Sequence, residues 1–264
     1  MKKNWILAGF AGLAFAASGI APVLAEDLDT ILSSGHLRAG LCLTSEPAGF
    51  RDADGNLKGY DVDAANLMAQ ALGVTLDVVE VTGPTRIPML LSNKIDVIVC
   101  NITATTERAR SIDFSFPYLR TGIKLLVQKG SGIKGFADIG AGKKFIVGRG
   151  TTGETMAKAR SPNAELVYVD NTPDAITLMR QGKADAYIED SLGIDYMAKA
   201  YPDQLEALPD TFSSDPITFG VRKGNPEFLR FLDLFASIYV SSGTYAANYS
   251  KWWGEAPPPL SPVW

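Results

Sequence analysis

The 264-residue chain has one histidine and two cysteines. A histidine-based nucleophilic triad would have to use His36, and a zinc site of the His/Cys type could draw only on His36, Cys42 and Cys100, which are scattered in sequence. Both chemistries are set aside, and His36, at the start of an apolar run, reads as a surface residue. Two cysteines are also too few for a disulfide framework in a chain of this size. Basic groups are outnumbered, 25 Lys and Arg against 29 Asp and Glu, for a net charge of −4. A surface of that sign suits neither nucleic acid nor anionic lipid, so neither is expected as a partner. No motif calls for a metal or cofactor.

Long apolar runs are missing as well, except at the start. Lys2 and Lys3 precede an apolar, Ala/Gly-rich stretch from Trp5 to about Ala17, and Pro22-Val23-Leu24-Ala25 precedes Glu26-Asp27. This is the layout of a secretory signal peptide over residues 1–25, with Val23 and Ala25 fitting the cleavage pocket. A membrane anchor would need about 20 apolar residues, usually bulkier ones. No Cys follows the stretch to carry a lipid. The mature chain is therefore expected to be a soluble, monomeric periplasmic protein, more acidic still once Lys2 and Lys3 are lost.

Short β-rich runs alternate with helical patterns. Strands are predicted at Leu37 to Cys42, Thr75 to Val81, Asp96 to Cys100, Ile123 to Gln128, Lys144 to Val147, Leu166 to Val169, Ala184 to Ile188 and Ile217 to Val221. Helices are predicted at Asp61 to Leu72, Thr85 to Leu91, Thr152 to Ala159, Pro173 to Arg180, Ser191 to Ala200, Pro226 to Tyr239 and Thr244 to Trp252. Strands spaced by helices indicate α/β architecture with largely parallel sheets. Residues 89–101 align with 178–190: each stretch reads as a helix end, a turn with Lys, an Asp entering a strand, and Asn101 or Asp190 where the strand stops. Two lobes of similar plan follow, the first from 26–120, the second from 121–216, with 217–264 returning to the first and ending in a Pro257-Pro258-Pro259 tail expected to be disordered.

Ligands of open α/β sheets sit beyond the carboxyl ends of the strands. There the chain places Asn101-Ile102-Thr103-Ala104-Thr105-Thr106-Glu107-Arg108, in which Thr105 or Thr106 can cap a following helix and Arg108 can grip a carboxylate with two hydrogen bonds. The second lobe offers Gly148-Arg149-Gly150-Thr151-Thr152 before a helix start. It lacks the Gly-Lys-Ser/Thr ending of a nucleotide loop. Asp190 is suited to hold an ammonium. Anion and cation grips together describe a zwitterion, although singly Arg108 could pair with Asp113 and Asp190 could merely cap its helix.

These residues, together with Pro47 to Asp52 and Gly55, Gly59 to Ala65, Thr85 to Pro88, Asp113-Phe114-Ser115, Pro117-Tyr118, Ala184 to Ala186 and Ser242 to Tyr245 ahead of Trp252, resemble the polar-amino-acid family of periplasmic solute-binding proteins that serve ABC importers. The resemblance spans almost the whole mature chain in family order. It implies a two-lobed, type II periplasmic-binding-protein-like α/β fold, closing on a small amino acid about a hinge of two crossing strands, with a membrane permease as partner. It implies that Arg108 holds the α-carboxylate with Thr103 and the Thr151-Thr152 helix start, that Asp190 holds the α-ammonium, and that Arg86 either touches the ligand side chain or braces its helix.

Two departures bear on the ligand. Cys42 stands where relatives choosing basic ligands tend to have Asp, which points to a neutral polar or acidic amino acid. Ala48 replaces a usual aromatic. Cys42 and Cys100 would end neighbouring strands, so a disulfide is open, but adjacent parallel strands rarely offer its geometry and two thiols are the preferred reading. The rival function is an enzyme on the same fold, of the cyclohexadienyl dehydratase type, for which Glu46 and Glu189 are the candidate acids or bases.

Overall fold

The computed structural model describes residues 27–261, so the leader expected at 1–25 lies outside the described residues. The chain runs through α1 (Asp27–Ser34), β1 (His36–Leu41), the short strands β2 (Thr44–Ser45), β3 (Gly49–Arg51) and β4 (Leu57–Lys58), α2 (Tyr60–Leu72), β5 (Thr75–Glu80), α3 (Arg86–Leu91) and β6 (Val97–Thr103). After a single 3-10 turn at Arg108–Arg110 come β7 (Ile112–Phe114), β8 (Leu119–Thr121) and β9 (Ile123–Gln128), then β10 (Lys144–Gly148), α4 (Thr152–Arg160), β11 (Glu165–Val169) and α5 (Thr172–Arg180). The chain ends with β12 (Ala186–Asp190), α6 (Ser191–Ala200), β13 (Leu205–Ala207), β14 (Asp215–Arg222), α7 (Pro226–Ser241) and α8 (Thr244–Trp253). Each strand and helix given a range in the sequence forms, with ends moved by up to three residues.

The strands build a small sheet of β2, β3 and β4 and two main ones. One has the order β5-β1-β6-β14-β7, with β8 also on β14, and the other the order β11-β10-β12-β9-β13. In each, a parallel trio from βαβ units is extended by antiparallel strands. The chain passes from the first sheet to the second at Gly122, between β8 and β9, and returns just before Asp215. The two crossings run side by side, since Thr121 pairs with Asp215.

The repeated stretches fold alike because they solve one problem, turning a helix end into a buried strand. Asn93 and Gly182 take positive φ (57° and 66°), and the next residue, Lys94 or Lys183, donates to Met89 O or Leu178 O at 3.0 Å. Asp96 and Asp185 then lock onto the neighbouring strand from both sides. Each donates its N–H to Arg38 O or Lys144 O at 2.8 Å, and its carboxylate accepts that residue's N–H at 2.9 or 2.8 Å.

The first-lobe core is aromatic where it nears the strand ends. Tyr118 stacks on Phe219 with centroids 4.2 Å apart and also faces Tyr60. Tyr60 opens α2 behind Gly59, whose φ of 128° and position 2.3 Å (for a built Cβ) from Ala48 O leave room for no side chain. That tight entry drives Asp61, in the first turn, into the interior.

Three expectations are corrected. The cysteines are joined: register pairs Leu41 with Val99, so Cys42 and Cys100 follow as neighbours with Cα atoms 5.0 Å apart and form a disulfide. Cys42 lies one residue past β1, so its side chain is not bound to the pleat that makes such pairs rare within parallel strands. No α-helix follows Thr105 or Thr106. Thr105 Oγ1 accepts from Arg108 N at 3.2 Å, and after one 3-10 turn the chain re-enters the sheet as β7. Finally, the proline tail is held, with Tyr245 donating to Pro258 O at 3.1 Å and Leu260 packing on the first-lobe core.

Candidate functional site

The loops beyond the strand ends of both sheets converge on one cleft of about 1150 Å³, open mouth included. Cys42, Arg86, Asn101, Thr103, Thr151, Thr152 and Asp190 line it, whereas Arg108 is not among its lining residues and reaches it only through Thr103. The lobes meet across the cleft. Arg108 Nη2 donates to Gly150 O at 2.8 Å, and Ser45 Oγ lies 3.3 Å from Thr172 Oγ1. At Gly83 the backbones touch so closely that a Cβ would sit 2.4 Å from Arg149 O.

On the first-lobe side, β6 carries Asn101 with φ 40°, a left-handed conformation that Asn tolerates, and the pairing of β6 with β14 shifts register opposite it, between Thr218 and Gly220. The twist turns the Asn101 N–H onto Asp61 Oδ2 at 3.0 Å, while Tyr118 Oη donates to Asp61 Oδ1 at 2.7 Å. Burial raises the Asp61 carboxyl to about 6 despite those two donors and the nearby Arg86 charge.

Arg86, only 6% exposed, runs beneath the same strand end. Its Nη1 donates to Cys100 O at 2.7 Å and lies 3.9 Å from Cys100 Sγ, while its Nε has no partner among the described residues. Burial, reinforced by repulsion from Arg108, lowers its pKa to about 9. Arg108 is half-buried, and burial lowers its pKa too. It donates through Nη1 to Thr103 O at 2.8 Å and through Nη2 to Gly150 O. A guanidinium has five N–H groups, so donors remain for an anion. The alternative partner Asp113 instead lies 4.0 Å from Lys223 Nζ.

In the second lobe Thr151 is the N-cap of α4. Its hydroxyl accepts from Glu154 N at 3.1 Å and donates to Gly148 O at 2.8 Å, which leaves the first N–H groups of α4 directed at the cleft. Asp190 is 8% exposed. It does cap α6, accepting from Leu192 N at 3.0 Å, and its other oxygen accepts from Thr121 Oγ1. Burial, aided by the adjacent Glu189, raises it to about 7 against these hydrogen bonds and one from Asn101. The capping role and a place on the cleft wall therefore coexist in one side chain.

Sequence reasoning missed Asp61 as a buried anchor and Gly83 and the Ser45–Thr172 contact as bridges between the lobes; Glu46 and Glu189, named as candidate acids or bases, both line the cleft, and the Glu189 carboxylate accepts from Tyr187 Oη at 2.7 Å. The Gly-Tyr-Asp entry of α2 was the one available signal for Asp61. His36, expected at the surface, is exposed beside Asp77 at 3.0 Å.

Two lobes facing each other across a polar cleft that both line with guanidinium and carboxylate groups, Arg86, Glu46 and Asp61 on one side and Arg149, Asp170, Glu189 and Asp190 on the other, define a solute-binding protein. Residues 37–255 match the model of the bacterial extracellular solute-binding proteins, family 3, and the chain belongs to that family. It is similar to the ABC transporter glutamine-binding protein of Bacillus subtilis, 34% identical over 211 residues, covering 78% of this chain and 76% of the relative. It is also similar to the L-cystine-binding protein of Escherichia coli, 31% identical over 250 residues, covering 94% and 91%. Among solved structures, an ancestral amino-acid-binding protein described as a precursor of cyclohexadienyl dehydratase superposes with a TM-score of 0.81 at 34% identity, covering 87% of this chain and all of that one.

Proposed function

We propose that the chain is the periplasmic substrate-binding component of an amino-acid ABC importer, and that it carries a neutral polar or acidic amino acid between its lobes as a monomer. The observation that carries this reading is one cleft bordered by buried Asp190 and by the α4 N-terminus, with Arg108 reaching across from Thr103 to Gly150 beside them. The guanidinium donors and helix N–H groups take the α-carboxylate, and Asp190 takes the α-ammonium. The side chain then points toward Arg86, whose free Nε asks for an acceptor, and toward the neutral Cys42 sulfur. A lysine or arginine head would meet a buried positive charge there. Of the described residues, 27–121 and 215–261 make up one lobe and 122–214 the other, a boundary one or two residues from that expected, hinged at the paired crossings beside Thr121 and Asp215.

Thermal-shift screening of the mature protein against the common amino acids tests this. A neutral polar or acidic amino acid should raise the melting temperature and lysine and arginine should not. Stabilisation by a basic amino acid alone would contradict the choice of ligand, and stabilisation by none would contradict the transport reading. A second reading, dehydratase chemistry, is favoured by a carboxyl poised near neutrality in the cleft, Asp190 at about 7. Turnover of a prephenate-like compound would establish it.

A further inference from the structure

The Cys42–Cys100 disulfide does more than tie β1 to β6, because its two sulfurs have different surroundings. Both cysteines border the cleft, but Cys42 is half-buried whereas Cys100 is 1% exposed within β6, so a small molecule approaches the Cys42 side more readily. Behind Cys100 lies Arg86, its Nη1 3.9 Å from Cys100 Sγ and its Nε without a partner. In thiol–disulfide exchange the attacked sulfur must be accessible, and the leaving sulfur departs faster the better its thiolate is stabilised. Here access and stabilisation fall on opposite sulfurs.

We propose that this disulfide is a thiol-exchange site, at which a small thiol entering the cleft forms a mixed disulfide with Cys42 and releases Cys100 as a thiolate held by Arg86. The step balances without any added oxidant or reductant. The incoming thiolate forms a bond to Cys42 Sγ, the Cys42–Cys100 bond breaks, and its electron pair stays on Cys100 Sγ. The thiol's proton goes to solvent, and the product keeps one disulfide and gains one thiolate. Burial of Cys100 in apolar surroundings works against a thiolate, but a guanidinium within hydrogen-bonding reach of the sulfur outweighs it. Because the Cys100 thiolate stays beside the mixed disulfide, removal of the small thiol lets it attack back and restore the original bond. The inference concerns these three side chains and stands whether or not the cleft carries an amino acid.

The test uses β-mercaptoethanol with the folded mature protein, followed by acid quenching, intact-mass measurement and peptide mapping. The expected product gains the mass of one whole thiol, with the mixed disulfide on Cys42 and the free thiol on Cys100, and it reverts on removal of the reagent. An adduct on Cys100, or an unmodified disulfide under conditions that modify an exposed reference disulfide, would overturn the proposal. Arg86→Gln should slow the exchange by about tenfold, the order expected from losing the charge beside the leaving thiolate. Since that substitution removes a buried group, Cys42→Ser supplies an independent reading, leaving Cys100 as the sole thiol. Thiolate absorbance should then show Cys100 titrating below about pH 7.5, against about 8.5 for an ordinary thiol. A midpoint at or above the ordinary value would refute the role given to Arg86.

Discussion

On the proposed reading, in which Asp190 holds the ligand's α-ammonium, ligand affinity should depend on pH. Its carboxyl is raised to about 7 chiefly by burial, with Glu189 adding to the shift. An α-ammonium binds the ionised form, so binding below neutrality must first expel a proton. The affinity therefore falls as pH drops through about 7, approaching tenfold per pH unit. Between about pH 7.5 and about pH 5.5 the dissociation constant should rise by about 25-fold, and near pH 6 about 0.9 proton should be released per ligand bound. Calorimetric titration in two buffers of different ionisation enthalpy measures both quantities. Asp61, at about 6, titrates in the same range and also borders the cleft, its carboxylate held by Tyr118 and Asn101, so Asp190→Asn separates the two. That variant should bind weakly and lose the pH dependence. A flat affinity across the interval with no proton release would refute the assignment of Asp190 to the ammonium.

Replacing Arg108 by Met should weaken binding of every amino acid by about 2–5 kcal/mol, at least thirtyfold, whatever the side chain, as calorimetry would show. Gly83→Ala sets a Cβ 2.4 Å from Arg149 O, so it should oppose closure and cost about 10- to 100-fold in affinity, with small-angle scattering reporting a more open liganded form. Asp61 is a carboxylate whose folded pKa is raised, so its contribution to stability is full below its unfolded value of 3.8 and is lost as pH rises through about 6. Between about pH 4 and about pH 7 the wild type should therefore lose about 2.4 kcal/mol relative to Asp61→Asn, measured by denaturant unfolding.

The parallel strands and their helices were legible because each is long enough for its apolar pattern to show, as in Phe145-Ile146-Val147, all fully buried. The pieces of two or three residues, β2 to β4, β7, β8 and β13, are too short for any period and exist because neighbours pair with them. Helix α1 buries little beyond Ile31, so its stripe was faint next to the apolar leader. The helix expected after Thr105 failed because a capping hydroxyl stabilises a turn but cannot extend it against strand pairing of Ile112–Phe114 with β14. At the site, residue types pointed to Asp190, which lines the cleft, and to Arg108, which bonds Thr103 on its wall. What could not be read was which groups are sealed away. Acids in a first helical turn are normally solvated, and only the packing of Tyr60 and Tyr118 encloses Asp61. Likewise the union of Cys42 with Cys100 depends on a register that aligns residues 58 apart.

The grip on a zwitterion is tested most directly by calorimetric titration of the mature protein with the amino acid that stabilises it best, beside that amino acid's methyl ester and its N-acetyl derivative. With Arg108 and the α4 N-terminus facing one pole and Asp190 the other, both derivatives should bind at least about thirtyfold more weakly than the parent. Equal affinity for either derivative would contradict the two-pole clamp.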